Sequence, residues 1–133
     1  MTTYLNREAI LNADDIKTEE VAVLEWGGTV LIRGMTGTQR DAFEASIVDY
    51  STGKTPQMKL NNARAKLLVK TIVDENSQPI FTVADIEMLG KKSAAAMDRC
   101  YAVASRLSKI APEDIEELTK NLPPAPEDSS TIN

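Results

Sequence analysis

None of the 133 residues of this chain is histidine. The commonest general base and the commonest metal ligand are therefore both missing. Cysteine occurs once, as Cys100, which excludes an internal disulfide framework and a cysteine-ligated zinc site. Cys100 falls on an apolar helical stripe with no imidazole to activate it, the setting of a structural thiol rather than a nucleophile. Gly53-Lys54-Thr55 matches the end of a phosphate-binding loop. That loop needs a further glycine five residues earlier so that bare backbone can wrap the phosphates, and Val48 stands there. The run reads better as a surface turn.

Asp74-Glu75-Asn76-Ser77-Gln78-Pro79 sets oxygen ligands at alternate positions, with Asp85 at the twelfth place, as a calcium loop does. The sixth place of such a loop needs glycine and holds Pro79, and the twelfth is normally a bidentate glutamate. A turn between two helices is the simpler reading. The acidic pairs Asp14-Asp15, Glu19-Glu20, Glu113-Asp114 and Glu116-Glu117 sit at element ends or on polar faces. Paired catalytic carboxylates need one member in an apolar pocket, so these read as solvated surface and helix-dipole partners. No enzymatic activity, cofactor or metal dependence is expected.

The elements around these residues describe a small, mostly helical α+β domain. A length of 133 residues suits one domain with its own core. With 42% apolar residues but only 5% aromatics, that core should be aliphatic and alanine-rich. A net charge of −5 argues against non-specific nucleic-acid binding and against anionic membranes. No apolar run approaches membrane-spanning length, and the first residues lack the basic start and apolar core of a signal peptide. A soluble cytoplasmic protein is expected.

The stretch from Glu20 to Met35 organises the rest. Two β-branched apolar runs flank Gly27-Gly28, the signal for a two-residue hairpin turn with both glycines at positive φ. That turn sets Trp26 opposite Thr29, Leu24 opposite Leu31 and Val23 opposite Ile32. Both faces carry apolar residues, and a lone hairpin is marginal, so helices must pack on it.

Before it, Asn6 caps a short helix over about 7–13, with Leu5 and Ile10 as a hydrophobic staple. After it, Thr38 and Asp41 resemble a capping box for a helix over about 38–50 carrying Phe43, Ile47 and Tyr50 on one face. A second helix over about 58–73 has a broad apolar face of Leu60, Ala63, Leu67, Leu68 and Ile72, and so should be central. Thr82 and Asp85 box a short helix that Phe81 staples through Ile86 and that ends at Gly90 in a left-handed conformation. Ser93 caps the strongest helix, about 93–110, with Met97, Cys100, Tyr101, Ala104 and Leu107 in helical register. Pro112 starts a last helix with Ile115 and Leu118 on its apolar edge. In all, one hairpin over about 20–35 packs against five to six helices. Residues 1–122 make the single globular domain, and 123–133, Pro- and Ser-rich, form a disordered C-terminal tail.

With those residues placed, the chain resembles the tail assembly chaperones of long-tailed bacteriophages and prophages. The resemblance is carried by Leu5-Asn6-Arg7-Glu8-Ala9-Ile10-Leu11, Glu25-Trp26-Gly27-Gly28 and Arg33-Gly34-Met35-Thr36-Gly37. It continues through Ile72-Val73-Asp74-Glu75, Pro79-Ile80-Phe81-Thr82, Lys92 to Arg99, and Glu113 to Leu118 with Lys120-Asn121. Order and spacing carry it rather than any one segment. It implies a non-enzymatic protein that binds the tape measure protein, keeps it soluble, helps recruit tail tube protein and is absent from the mature virion. It also implies action in the host cytoplasm, with a longer frameshifted form of the same chain as a further partner. No catalytic residue carries over. The candidate protein-binding residues are Leu24, Trp26 and Leu31 on the hairpin and Ile115 and Leu118 on the last helix. A structural head–tail or tail component of the virion, and an acidic adaptor or antitoxin-like binding module, are the alternatives.

Overall fold

The computed structural model describes residues 1–49, 57–58 and 60–110. The final helix, with Ile115 and Leu118, and the tail from 123 lie outside the described residues, as do Tyr50 and Gly53-Lys54-Thr55.

The described residues form an α+β fold, mostly helical, with five α-helices and a three-stranded antiparallel sheet. Strands β1 (Thr18–Val23) and β2 (Gly28–Arg33) make the hairpin. Its register departs from the two-residue turn. Val23 pairs with Gly28, Val21 with Val30 and Glu20 with Leu31. The connection is the four-residue stretch Leu24 to Gly27, in which Leu24–Trp26 winds as a 3-10 turn. Gly27 alone takes positive φ, at 76°, and its amide donates to the Leu24 carbonyl at 3.0 Å. The partner of Val23 is thus displaced by four residues from Ile32. An even displacement leaves the facing pattern intact, because side chains alternate with period two. Val21, Val23 and Ile32 still share the buried face, while Ala22 and Thr29 opposite them are exposed.

Strand β5 (Ile72–Val73) adds a third member, pairing with β2 through Ile72–Ile32 and Val73–Leu31. The apolar periodicity predicts a helix that runs through these residues to about 73. That helix, α3 (Ala63–Thr71), stops at Thr71 because Ile72 is extended, with φ −79° and ψ 122°. α3 is central, as its apolar face predicts: Ala65, Leu67, Leu68 and Val69 are buried. Leu60 lies outside it and is exposed.

α1 (Arg7–Leu11) is capped by Asn6, whose side-chain oxygen accepts from the Ala9 amide at 2.8 Å, but it buries nothing. The staple pair Leu5 and Ile10 is exposed. The capping box of α2 (Gly37–Ser46) begins at Thr36, two residues before the expected Thr38. Thr36 and Gln39 cap each other reciprocally at 3.0 and 3.1 Å. Phe43 and Ile47 are buried, and α2 gives way to β3 (Val48–Asp49), which pairs with β4 (Gln57–Met58).

α5 (Ala94–Ser108) packs across β1 and β2 and against α3, closing the core. Ser93 caps it through the Ala96 amide at 3.2 Å. Its stripe runs as predicted, with Met97, Cys100 and Ala104 buried and Tyr101 and Leu107 partly so. The small face of alanines lets it approach closely. Gly34 is buried where a Cβ would sit 2.9 Å from the Leu107 carbonyl oxygen.

Candidate functional site

The 3-10 turn at the hairpin tip gives its three residues three different destinations. Leu24 points outward and is 89% exposed. Glu25 turns to α5, where the Arg99 guanidinium donates to both carboxylate oxygens at 2.8 and 3.1 Å. That bidentate pair holds the Glu25 carboxyl at about 2 against an ordinary 4.5, and raises the guanidinium in turn. Trp26 folds back, half-buried, against the edge of the core.

Opposite Trp26 stands the short α4 (Ile86–Leu89). Its start is built by the predicted box. The Thr82 amide donates to Asp85 Oδ2 at 2.9 Å, and Thr82 Oγ1 accepts from the Ala84 amide at 3.3 Å. Phe81, just before the cap, and Ile86 pack on the core from this side. Gly90 ends the helix with φ −63°, so the expected left-handed cap is absent. The Cβ position of Gly90 is instead occupied by the side-chain oxygen of Asn62, so a larger residue would make that side chain move.

Between tip and α4 lies an open groove of about 440 Å³, lined by Trp26, Phe81, Met88 and Leu89, with Glu25, Asp85 and Lys92 at its rim. Met88 is 68% exposed. Apolar walls with a few polar groups at the edge suit the burial of apolar side chains from a partner. Methionine there adds an adaptable surface.

Of the predicted binding residues that are described, Leu24, Trp26 and Leu31, only Trp26 lines this groove. Leu24 belongs to the same turn but faces solvent. Leu31 is partly buried on the other face of the sheet, between Glu20 and Val73, and does not meet Leu24. Phe81, Met88 and Leu89 went unnoticed as surface. Their one sequence signal was the apolar content of a short helix, and only the chain's return to the hairpin tip joins them to Trp26.

Three other candidates, Cys100, Asp74 and Glu19, have structural duties. Cys100 is buried among core side chains, and burial pushes its thiol up. Asp74 Oδ1 accepts from the Asn76 and Gln78 amides at 2.8 and 3.0 Å, which makes it the organiser of its own turn. Glu19 pairs with Arg106 across the β1–α5 contact. No group of three or more cysteine or carboxylate side chains that could hold a metal ion occurs among the described residues.

A family model described as phage tail assembly chaperone matches residues 5–121 of the chain. Among solved structures, the fold is similar to that of the bacteriophage HK97 tail assembly chaperone. The sequence identity is 23% and the TM-score 0.52, over 69% of this chain and 85% of that one. No curated protein matches the chain significantly.

Proposed function

Because this chain belongs to the phage tail assembly chaperone family, we propose that it binds the tape measure protein of its phage or prophage and keeps it soluble until tube subunits arrive. The client carries long amphipathic helices whose apolar faces have no partner before the tube forms, and such faces aggregate unless covered. The observation that carries the reading is the open apolar groove beside Trp26, with Met88 exposed at its edge. Contact there is helix against groove. Cover of this kind must yield to tube protein, so micromolar affinity per site, about −8 kcal/mol, is the expected scale. Many copies along one client act together through high local concentration.

The role is non-enzymatic, is exercised in the host cytoplasm, and leaves no copy in the mature virion. Tail tube protein and a longer frameshifted form of the chain complete the set of partners. No helix among the described residues is long and apolar enough to cross a membrane. Co-expression with the tape measure protein is the test. The expected result is a soluble complex that elutes together on a sizing column. A tape measure protein equally soluble without this chain, and no complex, overturns the reading.

A further inference from the structure

We infer that the groove beside Trp26 seats one amphipathic helix that carries opposite charges at the two ends of its contact face. The inference rests on the client-binding reading and adds the chemistry that selects the client segment.

Asp85, Met88, Leu89 and Lys92 all line the groove. Their spacing of i, i+3, i+4 and i+7 places them on one helical face. The winding continues past α4. The Gly90 amide donates to the Ile86 carbonyl at 2.9 Å, Lys91 to Met88 at 3.2 Å and Lys92 to Leu89 at 3.1 Å. Asp85 and Lys92 therefore mark the two ends of a floor about 10 Å long, two turns of a docked helix. Met88 and Leu89 lie between them, and Trp26 and Phe81 complete the lining.

The rim charges are not equivalent. Glu25 is matched by Arg99 and has no charge left to direct a partner. Asp85 uses one oxygen for the Thr82 amide, and its negative charge has no ion pair among the described residues. Lys92 has no ion pair among the described residues. The floor thus has an anionic end, an apolar middle and a cationic end. The complementary helix bears an arginine or lysine over Asp85, two adjacent apolar anchors over the middle, and a carboxylate over Lys92.

Three designed helical peptides without tryptophan test this. They share one apolar face with two leucines, and at the flanking positions, seven residues apart, carry Arg and Glu, two Glu, or two Arg. Trp26 is the only tryptophan in the chain, so its emission reports occupancy of the groove directly. The Arg/Glu peptide should shift Trp26 emission to the blue and bind roughly threefold to fivefold tighter than either like-charged peptide at low salt. The preference should fade in 1 M salt. The Lys92→Glu variant should bind the two-Arg peptide best. Equal affinities for the three peptides, an unchanged ranking in Lys92→Glu, or binding without a change in Trp26 emission overturns the inference.

A Met88→Glu variant separates this from the client reading, because Met88 is exposed and its loss should leave the fold intact. If the wild-type chain solubilises the tape measure protein and Met88→Glu does not, the groove is supported. If both do so equally, the groove is wrong and the client reading stands. If the wild type ranks the peptides as expected yet never binds the tape measure protein, the groove's selectivity stands and the client reading fails.

Discussion

Arg99, near the start of α5, donates two parallel hydrogen bonds to Glu25 at the hairpin tip, at 2.8 and 3.1 Å. Seventy-four residues separate the two in sequence. The fork fixes which way the tip turns and thereby where Trp26 goes. A bidentate arginine–carboxylate pair is directional as well as attractive, so it positions the groove wall even though it lies open to water.

The same pair predicts a pH dependence. Hydrogen bonding from Arg99 lowers the Glu25 carboxyl to about 2, below its ordinary 4.5. A depressed carboxyl contributes stability above its unfolded value and loses it as pH falls through the folded one. Glu25→Gln should therefore lower the melting temperature slightly above about pH 5, and the gap to wild type should close as pH approaches 2. The effect is small because the pair is exposed and screened. Thermal melts across that range check it, and a gap that persists unchanged at the acid end refutes it.

The two glycines of the tip should respond differently to substitution. Gly27 has φ 76°, whereas Gly28 is in the strand and has open space around its Cβ position. Gly27→Val should cost about 1 kcal/mol or more, since a β-branched residue resists positive φ. Gly28→Val should lie within about 0.5 kcal/mol of wild type. Urea melts of the two variants decide it, and equal losses would mean that the turn is a two-residue one after all.

Gly34, just past the end of β2, sits against the backbone of α5. Its Cβ position is 2.9 Å from the Leu107 carbonyl oxygen and 3.3 Å from the carbonyl carbon, both backbone atoms that cannot rotate away. Gly34→Ala should destabilise by about 1–3 kcal/mol through overpacking. Gly37→Ala, in the first turn of α2 with nothing within 4 Å, should be neutral or slightly stabilising. Chemical denaturation of the pair isolates contact from backbone entropy.

Ser108 Oγ accepts from the Met35 amide at 3.1 Å, and the Ser108 carbonyl accepts from Arg40 at 3.3 Å. The end of α5 thus holds the connection from β2 to α2. Ser108→Ala leaves a half-buried amide without its acceptor and should cost about 1–3 kcal/mol. Hydrogen exchange at the Met35 amide should speed up in the variant. An unchanged rate would show that Ser108 is not its protecting partner.

Features under local control can be read from the order of the residues alone. The caps Asn6, Thr82 with Asp85, and Ser93 were legible because each needs only residues within one turn. So was the stripe of α5, and so was the grouping of Val21, Val23 and Ile32 on one face of the hairpin, since alternation survives any even change of register; which face is buried was not. Register itself was not legible. It depends on how many residues the tip spends turning, and that depends on Glu25 finding Arg99 and on Trp26 finding the edge of the core, both long-range events.

The end of α3 was hidden for the same reason. Ile72 and Val73 suit a helix or a strand, and pairing with Ile32 and Leu31 chose the strand. Gly90 reads as a helix end, which it is, but the Asn62 side chain that packs on it comes from another part of the chain. The groove is the extreme case. Trp26 is far from Phe81 and Met88 in sequence, and only the packing of α4 beside the hairpin tip brings them together.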